Sequence, residues 1–323
     1  MHRLSISVSI VFLSLSGPAS AQSANFHGPI RGFVYSRISK TVRPLFGVPG
    51  ATYIGASLLT GADFASIAPS GKWAVITQDG QTSCLRGLSD LAPTATAPDG
   101  LINAADSVRW TPDGTIALLY SSAANQLQRV RFSDTAATAD APVDLSSWGQ
   151  VSALAIDSAG QQVAFGVAGS GLYLFRTGQS PALLSSMAKP VAAAFDGTGR
   201  RLYAVDLDQS QIMEFDSGSN GVVFASLVQA DGSVITPMGT AISGDDRYLV
   251  LADSAAQAVR VYEMSSGNLT NTIPLDFSPS RFEALSAGTF LLNGDNGSEW
   301  LLVLDARQAP NVSFVPASPE SAQ

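Results

Sequence analysis

Apolar and polar positions alternate along most of the chain in short bursts, separated by glycine, serine, aspartate and proline. Ala65 and Ile67, Val108 and Trp110, and Leu154 and Ile156 recur at every second residue, the period of a strand with one buried face. Continuous apolar runs follow at residues 73–76, 116–119, 202–205 and 248–251. Runs this short, bounded by turn residues, read as strands rather than helices.

A tight turn joins the two kinds of strand. Its clearest version is Pro112-Asp113-Gly114. Proline presets φ, aspartate bonds its own backbone, and glycine accepts positive φ. Versions of the unit are anchored at Gly71, Gly114, Gly160, Gly199, Asp246 and Gly288, at intervals of 43, 46, 39, 47 and 42 residues. A third strand follows in most units, as at residues 127–132 and 212–215, and then a polar turn and a weaker fourth strand. Four short strands repeated at this period predict an all-β fold, a β-propeller of four-stranded antiparallel blades.

Six full repeats are present. An N-terminal hairpin, residues 30–35 and 42–48, reads as the third and fourth strands of a further blade. Six closed blades with the hairpin as a clasp, or seven blades with the hairpin as a partial one, both remain open. Chain length divided by the mean interval favours seven. Closing the ring matters because open sheet edges invite aggregation.

The ends read differently. His2 and Arg3 precede an apolar run at residues 4–15, and Ala19-Ser20-Ala21 gives a small-x-small cleavage pattern. That is a secretory signal peptide over 1–21, with Gln22 as the new N-terminus. The apolar run is too short to span a bilayer. Residues 22–27 then read as a linker, 28–316 as the propeller, and 317–323 as a disordered tail. The expected location is periplasmic or extracellular.

The balance of 18 basic against 26 acidic residues gives a net charge of −8. It argues against nucleic acid and anionic membrane surfaces as partners, and no membrane insertion is expected. The chain is expected to be a monomer. Cys84 is the only cysteine. It forms no internal disulfide and reads as a small buried hydrophobe.

The Pro112-Asp113-Gly114 turn, the strand Leu202-Tyr203-Ala204-Val205-Asp206 and the strand Ile212-Met213-Glu214-Phe215-Asp216 resemble secreted bacterial YVTN and lactonase-like propellers, part of the broader WD40-like group. The resemblance implies the fold over nearly the whole chain. It implies less about activity, because propellers host many functions.

Candidate chemistry gathers where the inter-blade loops meet the inner strands. Asp63, Asp106, Ser152, Val191, Met238 and Ser280 stand there, beside Gln150, Lys189 and Arg281. Asp79, Asp206, Asp208, Asp253 and Asp295 fall in the second-to-third strand turns. A ring of carboxylates can hold Ca²⁺ or steer a cationic ligand; turn aspartates also simply bond the backbone. The histidines are His2 and His27, so the predicted blades hold no Ser-His-Asp or Cys-His triad. Glu283, on an inner strand, is the best-placed carboxylate base. Trp148, between blades, can grip a partner or cover a seam.

The ligand-binding candidates are Asp63, Asp106, Trp148, Lys189, Met238, Arg281 and Glu283. No catalytic or metal-ligating residue is assigned, and no cofactor is expected beyond the option of Ca²⁺. The leading expectation is an exported binding module whose loop face meets a protein, a glycan or a small ligand. The alternatives are a lactonase-like hydrolase dependent on a carboxylate or calcium, and a structural envelope protein.

Overall fold

The computed structural model describes residues 28–48, 51–217, 222–228, 234–293 and 301–316. The expected signal peptide, linker and tail, and the candidate turn residue Asp295, lie outside the described residues.

The strands form seven antiparallel sheets that follow one another along the chain as the blades of a β-propeller. In chain order they span residues 30–60, 64–96, 107–144, 151–185, 190–228, 237–274 and 283–315. Blade 4 shows the pattern. Val151–Ile156 is innermost and pairs with Gln162–Val167, which pairs with Gly171–Arg176 and then Ala182–Ser185. Blade 3 differs only in its outer strand, which is split into Ala137–Ala139 and Val143–Asp144.

The continuous apolar runs are the second strands, and their burial explains them. Ile116–Ser121, Arg201–Asp206 and Tyr248–Asp253 are buried along nearly their whole length, because each blade is sandwiched between two others. Alternate residues of one strand serve different neighbours. Leu119 packs with Val75 and Cys84 of blade 2, whereas Leu118 packs with Phe165 of blade 4. Tyr203 faces Leu249 and Leu251 of blade 6, whereas Leu202 and Ala204 face Ala164 and Leu172 of blade 4. Seven such clusters are present, one for each junction between neighbouring blades.

The turn anchors take the backbone conformation the sequence demands. Gly114 has φ 71° and Gly199 φ 69°, and Asp246 adopts φ 55° at the anchor position that is glycine in the other units. At Gly114 space is short as well. A Cβ there would lie 2.8 Å from Ser70 Oγ and 3.2 Å from Ala68 Cβ, so the turn nests on that of the preceding blade.

The N-terminal hairpin requires a correction. It begins a seventh blade, but its strands Ile30–Ser36 and Thr41–Val48 are the second and third of the pattern, not the third and fourth. The turn between them ends at Lys40 with φ 53°, matching Asn125, Ser210 and Gln257 in the second-to-third turns of other blades. The outer layer comes as two pieces, Ala51–Ile54 and Leu59–Thr60, both paired with Thr41–Val48. Among the described residues no strand pairs with the inner edge of Ile30–Ser36. Instead the Arg281 guanidinium donates from Nη1 to the Tyr35 carbonyl at 2.6 Å. In blade 3 the corresponding carbonyl, that of Tyr120, accepts from the Asp106 backbone N–H.

Among the described residues no sheet mixes strands from the two ends of the chain. The ring is therefore closed by packing. Val34, Leu45 and Ile54 of blade 1 meet Leu285, Leu291 and Leu301 of blade 7.

Two buried acids set an alkaline limit to stability. Burial pushes the Cys84 thiol up to about 12. Burial likewise raises the Tyr203 phenol to about 12, against the opposing pull of Arg201. Both folded values lie above the ordinary values of 9.0 and 10.0. Their contribution is complete below the unfolded values and is lost as pH rises toward the folded ones. The melting temperature should hold up to roughly pH 9 and fall between about pH 9 and 12. A calorimetric melt that stays level across that window would contradict this burial.

Candidate binding channel

The inner strands converge on the axis and enclose a channel of about 590 Å³, a volume suited to a small organic molecule. Its lining comes from blades 2 to 7, and none of it from blade 1. The turns carrying Pro69, Pro112, Ser158, Gly197 and Gly288 border one end, so the cavity opens on the turn face, opposite the loop face.

Small residues set the bore. Ala193, Ala194, Gly239 and Ala241 line it because inner strands have little room near the axis. A Cβ on Gly239 would lie 2.5 Å from Phe282 Cβ. The aromatic part of the wall is Trp110, Phe195, Phe282 and Phe290. Phe282 and Phe290 stack with ring centroids 4.7 Å apart, and Trp110 is oriented by its Nε1–H donating to Ser66 Oγ at 3.0 Å.

The charged lining groups are Arg109, Asp196, Asp246, Glu283 and Arg307. Asp196 accepts from the backbone N–H groups of Arg200 and Arg201. Asp246 accepts from the Gly197 N–H at 2.8 Å, and Arg307 is bonded to Asp305. Glu283 is paired with Arg281 Nη2 at 2.7 Å, and Arg281 in turn reaches blade 1. Arg109 differs. It is exposed to the lumen yet ringed by protein, and this desolvation lowers its pKa, with the charge of Glu283 opposing the shift. Its guanidinium bonds its own chain, Nη1 donating to the Val108 carbonyl at 3.1 Å.

The loop-face carboxylates bond backbone. Asp63 accepts from the Asp79 N–H at 2.8 Å and Lys40 Nζ at 2.6 Å; these two partners hold its carboxyl below the usual range. Asp106 accepts from the N–H and hydroxyl of Ser122. In each case the start of an inner strand is stapled to the second-to-third turn of the same blade. Blades 5 and 6 make the same staple from the other side. Asp206 accepts from the Ala188, Lys189 and Asp208 N–H groups. Asp253 accepts from those of Ile235, Thr236 and Ala256. Among the described residues no group of three or more His, Cys, Asp or Glu is placed to hold a metal ion.

The channel thus brings together two of the seven candidates, Met238 and Glu283, with Arg281 behind Glu283. Asp63 and Asp106 sit at the loop-face staples. Trp148 is half-buried against the cluster of Leu118, Tyr120 and Leu154, between blades 3 and 4. Lys189 is exposed and anchored through its backbone N–H. Sequence reasoning passed over Arg109, Phe282 and Phe290. The available signal was a lone arginine on an inner strand, where blades 4, 5 and 6 carry alanine and glycine.

No family model matches the chain, and no curated protein matches it. Solved structures share its fold. A protein of unknown function from Desulfotomaculum acetoxidans DSM 771 has a TM-score of 0.60 at 15% identity, over 89% of this chain and 99% of that one. Sqt1 from Chaetomium thermophilum, solved with the N-terminus of ribosomal protein L10, has a TM-score of 0.57 at 15% identity, over 88% and 81%. A candidate 6-phosphogluconolactonase from Bacteroides uniformis ATCC 8492 has a TM-score of 0.56 at 16% identity, over 76% and 82%. The likeness to lactonase-like and WD40 propellers holds at the level of the fold, which one architecture lends to unrelated activities.

The staples should be structural. Asp253 is fully buried, and Asp253→Ala leaves its three N–H donors without their acceptor, at a cost of about 1–3 kcal/mol. Asp208→Ala, on an exposed side chain, should change stability by about 0.5 kcal/mol or less. Urea denaturation of both variants checks the difference.

Proposed function

We propose that this propeller is an exported binding module that takes a small ligand into its central channel. The carrying observation is the channel itself: a cavity of small-molecule size whose walls combine aromatic and small apolar side chains with a minority of polar and charged ones. That is the composition of a binding pocket. A hydrolytic reading needs a base free to activate water. The glutamate that lines the channel, Glu283, is held in an ion pair by Arg281, and among the described residues no histidine lines it. Export rests on the apolar run at residues 4–15 and the Ala19-Ser20-Ala21 pattern.

A protein partner on the loop face is the second reading. Ile38 and Ile235 are exposed on that side, and Sqt1, solved bound to part of L10, shares the fold.

The test uses mature protein isolated from the expressing culture, with its N-terminus sequenced; the expected first residue is Gln22. Native mass spectrometry after incubation with the small-molecule fraction of the medium should show bound mass. Met238→Trp, which narrows the channel, should abolish it. An Ile38→Ser and Ile235→Ser double variant should leave it intact. Loss in the double variant with retention in Met238→Trp would move the site to the loop face.

A further inference from the structure

Resting on the channel as the binding site, we infer that its ligand is a small organic acid, with a carboxylate on Arg109 and an apolar body against the aromatic wall. The argument begins with what Arg109 lacks. A guanidinium carries several N–H donors in a planar fork and no acceptor. Among the described residues one hydrogen bond of this side chain is found, to the carbonyl of the preceding residue. It forms no ion pair there. Every other arginine or aspartate lining the channel is already engaged: Asp196 and Asp246 by backbone N–H groups, and Arg307 by Asp305. Glu283 is close enough to stabilise the charge of Arg109, but its carboxylate is bonded to Arg281.

The surroundings sharpen the inference. Arg109 faces the lumen of a channel walled mainly by apolar side chains, and among the described residues no carboxylate is bonded to it. A ligand carboxylate fits the unused fork in a bidentate arrangement, the strongest form of this contact. Trp110 follows Arg109 on the same strand, and the stacked pair Phe282 and Phe290 lies across the channel on blade 7. These flat apolar surfaces select a body with aryl or alkyl character. Arg307 also lines the channel but is bonded to Asp305, which leaves Arg109 as the lining cation with no carboxylate bonded to it among the described residues.

The experiment titrates the mature protein with 4-phenylbutyrate and with its neutral amide, 4-phenylbutyramide, by isothermal calorimetry. Trp110 fluorescence serves as a second readout. The carboxylate should bind about ten-fold or more tightly than the amide, the advantage of a charge-assisted over a neutral contact. Arg109→Met should remove that preference while leaving the melting temperature near wild type. Arg109→Gln repeats the measurement should the Met variant fold poorly. Met238→Trp should weaken both probes. Equal binding of acid and amide, or an acid preference that survives in both Arg109 variants, would overturn the organic-acid inference while leaving the channel as the site. Failure of both probes to bind wild-type protein would overturn the inference and the channel reading together.

Discussion

The structure depends on one constraint: a four-stranded blade with two apolar faces must be covered on both. Each second strand carries large side chains on either side, so a blade is stable only between two others. The requirement propagates around the circle until the last blade meets the first. Among the described residues that final junction is made without an exchanged strand. Val34, Leu45 and Ile54 pack against Leu285, Leu291 and Leu301, and Arg281 donates to the Tyr35 carbonyl at 2.6 Å. Closure also fixes the centre. Inner strands brought together around an axis leave little room for side chains, and the alanines and glycine of blades 5 and 6 keep a channel open.

Most of this was legible in the chain. Turn chemistry gave the period, since Gly71, Gly114, Gly160, Gly199 and Gly288 all have φ near +70°. Burial on both faces gave the apolar runs. The first hairpin was misplaced by one strand because no anchor of the Gly71 or Gly114 kind marks a first-to-second turn ahead of it, and its own turn, ending at Lys40, reads as any short polar turn. The site was less legible for a different reason. A repeat places equivalent residues at equivalent points, so aspartates at strand mouths stood out. Their bonds to Asp79, Ser122, Lys189 and Thr236 are those of structural staples. The channel is instead marked by a departure from the repeat, a single arginine among small residues, and pattern reading discounts departures.

Chemistry on this scaffold separates by face. The loop face is built of carboxylates committed to backbone, which hold the inner-strand entries in place. The axis carries the aromatic surface and the guanidinium of Arg109, which is hydrogen-bonded to its own chain. Rigidity at the first supports selectivity at the second, because the strands that present Arg109 and Trp110 are pinned by Asp106 at their entry and by Gly114 at their exit. A site built on strands held in this way is preorganised, and little ordering entropy is lost when a ligand enters it.

Hydrogen–deuterium exchange with and without saturating 4-phenylbutyrate tests the central claim, that binding occurs at the axis. Slowed exchange in Ser107–Trp110, Pro237–Ile242 and Glu283–Ser286, with the loop-face turns at Asp79 and Gln257 unchanged, is the expected result. Protection confined to those turns, with the inner strands unaffected, would contradict it.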